Sequence, residues 1–224
     1  MFSSFSAQSA VIDLASWVFN IDGTVYESGY YPVGVDPLPT SVTGTLDSSG
    51  LGTLSTEITG AGDHNFTLML DYEIDEYENT FYNEYGAASG SLAAGQSWEI
   101  DESFFGDIYW NTLNATLDDT NNVPNGFNDD VSFALGWDFT LEAGESATID
   151  FFISDVLDTT DFYLSHNDAE TGPAYNELAS IFFWSDISIT GGSSGSTNVP
   201  EPSTVALLGI GLLGVVMSRR RRVI

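Results

Sequence analysis

Between residues 131 and 141 every second side chain is apolar, and all but the first are large. Val131, Phe133, Leu135, Trp137, Phe139 and Leu141 alternate with Ser132, Ala134, Gly136, Asp138 and Thr140. A period of two sends successive side chains to opposite faces of an extended strand, so such a stretch separates apolar from polar only as β-structure. The alternation returns over 66–75, where Phe66, Leu68, Leu70, Tyr72 and Ile74 oppose Thr67, Asp71, Glu73 and Asp75. Ile149, Phe151 and Ile153 follow a Glu142-Ala-Gly-Glu145 turn, and Ile181, Phe183, Ile187 and Ile189 share the inner side of a strand over 180–190. Weaker runs predict strands near 15–21, 41–47, 51–58, 97–101, 108–117 and 160–165. No long 3.6-residue period precedes residue 200. The predicted fold class is therefore all-β: one antiparallel β-sandwich, jelly-roll-like, over 11–190, each sheet keeping an apolar face inside and a polar face in water.

The charge is as lopsided as the pattern is regular. The chain has 33 acidic residues against four basic ones, and all four bases are Arg219, Arg220, Arg221 and Arg222. Residues 1–218 thus contain no Lys or Arg and carry a formal charge of −33. Phosphate backbones would be repelled, which argues against nucleic acid as a partner. Self-repulsion on this scale opposes compaction and predicts dependence on cations, either diffuse or bound. Cysteine is absent, so disulfides and thiol catalysis are excluded.

Catalytic groups are sparse. The two histidines, His64 and His166, stand about a hundred residues apart and have no Cys, Lys or body Arg to join in a nucleophile–base arrangement. They read as turn or surface residues. Two carboxylate groups, Glu73 with Asp75, Glu76 and Glu78, and Glu99 with Asp101 and Glu102, alternate with apolar neighbours. That pattern predicts solvated outer faces, and solvated carboxylates make poor general acids. Paired carboxylates suffice for glycoside hydrolysis, so a glycan-acting enzyme stays as an alternative. Oxygen donors are densest between 118 and 130. Asp118, Asp119, Asn121, Asn125, Asn128, Asp129 and Asp130 fall in one inter-strand loop, a donor set suited to Ca2+. The spacing is not that of an EF-hand, and Asp and Asn also favour turns for reasons of their own. A thinner group comprises Asp158, Asp161, Asn167, Asp168 and Glu170.

The last 34 residues, 191–224, follow a different logic. Gly191-Gly-Ser-Ser-Gly-Ser-Thr-Asn198 begins a flexible linker over 191–199, and Pro200-Glu201-Pro202 resists helix formation. Residues 203–218 are apolar all round, and the Arg block 219–222 closes the run. A helix of that length is about 24 Å long, short but sufficient to engage a bilayer whose stop is cationic. The Arg block places everything before Pro200 across the membrane from the cytoplasm. Gly209, Gly211 and Gly214 match a dinucleotide-binding pattern in form only, because no strand precedes them and no acidic residue follows. Residues 1–10 read as the remnant of a signal peptide whose basic and apolar parts lie upstream.

In its three-part order, the segment 199–222 closely resembles the PEP-CTERM protein-sorting signal of Gram-negative bacteria. Asn79-Thr-Phe-Tyr-Asn-Glu-Tyr85, Gly95-Gln-Ser-Trp-Glu-Ile-Asp-Glu102 and Asp129-Asp-Val-Ser-Phe-Ala-Leu-Gly-Trp137 are similar to stretches of exported domains bearing this tail. The resemblance implies recognition by an exosortase, a membrane-embedded, cysteine transpeptidase-like enzyme, and cleavage near Pro-Glu-Pro. It further implies a transient inner-membrane anchor through a transmembrane sorting helix over 203–218, then placement at the cell surface or outside the cell. Exopolysaccharide is the implied contact of the body. The expected function is that of a non-enzymatic surface or matrix protein; the alternative is a Ca2+-dependent carbohydrate-binding module or glycan-acting enzyme.

Overall fold

The computed structural model describes residues 10–29, 37–75, 80–168 and 179–192. The strands are β1 (Ile12–Ile21), β2 (Thr24–Glu27), β3 (Val42–Leu46), β4 (Gly52–Thr59), β5 (Gly62–Ile74), β6 (Glu84–Ser89), β7 (Gln96–Asp101), β8 (Ser132–Leu141), β9 (Glu145–Ser154), β10 (Tyr163–Asp168) and β11 (Ser180–Gly191). One helix, α1 (Ile108–Asn114), lies between β7 and β8. The strands form two antiparallel sheets, a five-stranded one ordered β2-β1-β5-β8-β7 and a six-stranded one ordered β3-β4-β9-β11-β10-β6. By packing, the chain divides into Met1–Gly191 and Gly192–Ile224. The predicted membrane helix 203–218 lies outside the described residues, among which no helix is long and apolar enough to cross a membrane.

The alternating runs do what their period requires. Phe66, Leu68, Leu70, Tyr72 and Ile74 of β5, with Phe133, Leu135 and Trp137 of β8, are buried in the same core as Phe151 and Ile153 of β9 and Ile181 and Phe183 of β11. Aromatic rings couple the sheets: Phe66 lies 5.0 Å from Phe151 and Phe133 lies 5.1 Å from Phe183, centroid to centroid. Such pairs add about 0.5–1.5 kcal/mol each beyond area burial. Two large polar side chains in the core find partners: the Tyr72 hydroxyl donates to Gly50 O at 2.5 Å and the Trp137 indole to Ser185 Oγ at 3.0 Å. Ile189 departs from the expected inner side. It is exposed, because β11 runs on past the edge of the core.

The larger departure concerns 108–117, predicted as a strand and found as α1 followed by a turn. Ile, Tyr, Trp and Thr favour strands, but Ile108 and Thr112, four residues apart, are the two buried residues of this helix. They share one helical face, and Ile108 packs with Val18, Met69 and Ala134 on the outer side of the five-stranded sheet. Asn20 Nδ2 donates to Leu113 O at 2.8 Å and Thr67 Oγ1 to Thr112 O at 2.9 Å, satisfying carbonyls at the end of the helix. Ala115, with φ 51°, then turns the chain out of the helix. The outer face of this sheet is therefore covered in part: Thr67, Asp71 and Glu73 are buried rather than solvated, while Asp138 and Thr140 at the far end of β8 are exposed.

β7 and β6 are edge strands of their respective sheets, and edges expose unpaired backbone. The segment after α1 covers both. Asn121 bridges to Ile100 of β7, and Pro124 bridges to Gly86 of β6.

Candidate functional site

β5 is longer than the partner that should flank it. Its ladder with β8 ends at Asp71↔Ser132, and the strand runs on through Tyr72, Glu73 and Ile74. Glu84, the first residue of β6, takes over: its Oε1 accepts from Ile74 N at 3.0 Å, and its carbonyl accepts from Asp129 N at 3.0 Å. Continuing the antiparallel register two residues beyond Asp71↔Ser132 sets Glu73 opposite Asp130. Glu73, Glu84 and Asp130 are all buried, and each has a carboxylate oxygen within 4.8 Å of the others.

Neighbouring groups extend this acidic centre. Ser103 Oγ lies 2.6 Å from Asp71 Oδ1 and 3.1 Å from Asp130 Oδ1, and Ser132 Oγ donates to Asp71 Oδ1 at 3.0 Å. Burial drives Asp71 above the usual carboxylate range, opposed by the hydroxyls of Ser103, Ser132 and Ser16. Asp130 is pushed up to about 8 by burial, with the charges of Asp71 and Glu84 adding to the effect. His166 Nε2 lies 2.5 Å from Glu84 Oε2. Burial pulls the imidazole down to about 4 against the charges of Asp71 and Asp168, so the ring is neutral near pH 7. The histidine predicted for a turn or the surface is instead fully buried in β10. His64, in β5, bonds Asp22 Oδ2 at 2.8 Å and Gly60 O at 2.9 Å and stacks on Phe139.

On the far side of Asp71 and Ser103 a cavity of about 240 Å³ opens between β1 and the turn before α1, with Trp17, Glu27, Phe104 and Tyr109 in its lining. Tyr109 donates to Glu27 Oε1 at 2.7 Å. Phe104, Phe105 and Trp110 are exposed around this turn. Asp101 organises it, its two oxygens accepting from Glu102 N and Asp107 N, both at 2.9 Å.

Of the seven predicted Ca2+ donors, most serve the fold of their own loop. Asp118 Oδ1 accepts from both Thr120 N and Thr120 Oγ1, and Asp119 Oδ1 accepts from Trp98 N. Asn121 bonds Gly86 O and Val123 N, Asn128 bonds Asn83 O and Gly126 N, and Asp129 accepts from Asp130 N. Asn125 is exposed. Among the described residues, Asp130 is the member of the seven that joins carboxylates from other elements. In the thinner group, Asp168 accepts from Asn83 Nδ2 at 2.8 Å, while Glu170 lies outside the described residues.

Three of the seven carboxylates predicted to be solvated need correction; Glu76 and Glu78 lie outside the described residues. Glu73, Glu99 and Asp101 are buried: α1 and the turn before it bond Glu99 and Asp101, while Glu73 lies beside Glu84 and Asp130. Asn111 Nδ2 donates to both Glu99 oxygens at 3.1 Å, and Glu99 is pushed up to about 8, chiefly by burial. Sequence alone gives no sign of Glu84 as a site residue and places His166 at a turn or the surface. The strand holding Glu84 has too weak an alternation to be seen, and no spacing links either residue to Asp130.

Pro200, Glu201, Pro202 and Arg219, Arg220, Arg221 and Arg222 lie outside the described residues. Here comparison with known proteins speaks: a family model described as the PEP-CTERM protein-sorting motif matches residues 198–222. No curated protein and no solved structure matches the chain. The matched motif marks an exported chain directed to an exosortase through a membrane-anchored intermediate.

Proposed function

We propose that this chain, a bearer of the PEP-CTERM sorting motif, is a non-enzymatic surface or matrix protein. An exosortase-type enzyme parts it from its tail at Pro200-Glu201-Pro202. The motif match over 198–222 carries this reading. The chemistry agrees with it. Prolines on either side of Glu201 disfavour helix and so favour a backbone an enzyme can reach, an apolar run suits a bilayer, and an Arg block suits its cytoplasmic face. The body, read as a β-sandwich, then faces the outside of a Gram-negative-type envelope, and its formal charge of −32 over residues 1–199 (the 33 acids less Glu201) keeps it hydrated and apart from other anionic surfaces. Replacing all three motif residues, Pro200→Ala, Glu201→Ala and Pro202→Ala, is expected to trap the full-length chain in the inner membrane. Unchanged distribution of that variant among cell fractions would refute the assignment.

A second reading, a Ca2+-dependent carbohydrate-binding module or glycan-acting enzyme, is favoured by the cavity beside Trp17, Phe104 and Tyr109 with Glu27 and Asp71 in its lining. Aromatic faces and carboxylates are the groups that hold sugar rings. Exopolysaccharide that retards the chain in affinity electrophoresis, and shortens on incubation with it, would mark the enzyme; retardation alone would mark the binding module.

A further inference from the structure

We propose that Glu73, Glu84 and Asp130 form a binding site for one divalent cation, of which Ca2+ is the best match. The proposal does not depend on the sorting assignment. It begins from geometry: a carboxylate oxygen of each residue lies within 4.8 Å of the others. Oxygens bound to a single Ca2+ at about 2.4 Å can be at most about 4.8 Å apart. The three carboxylates come from the end of β5, the start of β6 and the last residues of the loop before β8, so they are gathered by the fold and not by local sequence.

The second observation is independent of the clustering. Asp130 is 0% exposed, and its Oδ2 has no hydrogen-bond partner. A buried acceptor without a donor costs about 1–3 kcal/mol, more when it is charged. Ser103 serves Oδ1 at 3.1 Å and leaves the other oxygen for something else. No basic side chain can supply it, since residues 1–218 contain neither Lys nor Arg. The one buried histidine of the centre is committed to Glu84 at 2.5 Å. A cation would satisfy the idle oxygen and relieve the repulsion among three acids in one step. Carboxylate and hydroxyl oxygens without nitrogen or sulfur select a hard ion, and a set drawn from three separate elements suits the flexible geometry of Ca2+ better than the rigid octahedron of Mg2+.

The test uses the full-length protein in non-ionic detergent, freed of metal with chelator and titrated calorimetrically with CaCl2 and with MgCl2 at constant ionic strength. Expected is one saturable Ca2+ site, weaker Mg2+ binding, and a rise in melting temperature of about 5–10 °C at a hundredfold excess over Kd. Asp130→Asn should weaken Ca2+ binding at least tenfold while melting no lower than wild type in chelator, because the amide keeps the shape of the carboxyl and cannot ionise. The double variant Asp118→Asn, Asp119→Asn should keep the affinity of wild type. Absence of saturable Ca2+ binding in wild type would overturn the site, leaving shared protons as the means of neutralisation. Undiminished binding in Asp130→Asn, or its loss only in the Asp118/Asp119 variant, would overturn it equally. Each outcome is read on purified protein, so none bears on whether the tail is processed.

Discussion

Glu99 illustrates what single residues endure in a chain with so few bases. Its carboxyl is pushed from 4.5 to about 8, first by burial, with the charges of Asp118 and Asp107 adding to it and hydrogen bonds from Asn111 opposing. The folded form therefore holds a proton that the unfolded form releases across that interval. Stability from this group is fully present below about 4.5 and declines as pH rises toward about 8. In chelator, the melting temperature is expected to fall between pH 5 and pH 8, and Glu99→Gln should flatten that decline and melt above wild type at the alkaline end. A variant whose pH profile overlays that of wild type would contradict the assignment. The sequence displayed the alternation around Glu73 and Glu99 correctly, but alternation reports which face a residue occupies and not whether that face is wet. Asp130 was visible as one of many loop oxygens. Glu73 was visible only as one of a run of carboxylates and Glu84 not at all, because the register of β5 against β8 sets Glu73 opposite Asp130 and bonds from Ile74 N and Asp129 N hold Glu84 beside them.

Among the elements, the strands with the strongest period, β5, β8, β9 and β11, were legible because their apolar faces must meet one another. Helix α1 was not, since its residues favour strands and its seven positions are too few to establish a 3.6-residue period. Tertiary contacts decided its form: a covered patch at Val18, Met69 and Ala134 on one side and polar groups of β1 and β5 at its end. Asn20 is central to that end. It is buried, donates to the carbonyls of Leu113 and Thr112, and accepts from Gly23 N at 2.8 Å. Asn20→Ala strands these groups and is expected to cost about 1–3 kcal/mol. Urea denaturation would read the loss, and hydrogen exchange should quicken first in α1. A loss below the error of the denaturation curves, with exchange in α1 unchanged, would show that packing alone seats the helix. The loop 115–131 makes the complementary point. Its Asp and Asn residues were legible as turn formers and as oxygen donors alike, and most of them satisfy backbone within the fold.

For the whole molecule, two charge regimes are joined in one chain. The tail holds every base, and of the 33 acids only Glu201 lies beyond residue 190; on the proposed sorting reading the two ends are addressed to opposite sides of a membrane. This was the most legible feature of all, because the order of proline motif, apolar run and Arg block is local in sequence and needs no fold to assemble it. The function of the body was far less so, since cavities and buried clusters arise only when distant strands meet. The most direct measurement is mass spectrometry of the C-terminal peptide of the native protein, taken separately from inner-membrane, outer-membrane and extracellular fractions. Expected is a product outside the inner membrane that ends near Pro200-Glu201-Pro202 and lacks Arg219–Arg222. Recovery from those outer fractions of chains still carrying the apolar run and its arginines would contradict it.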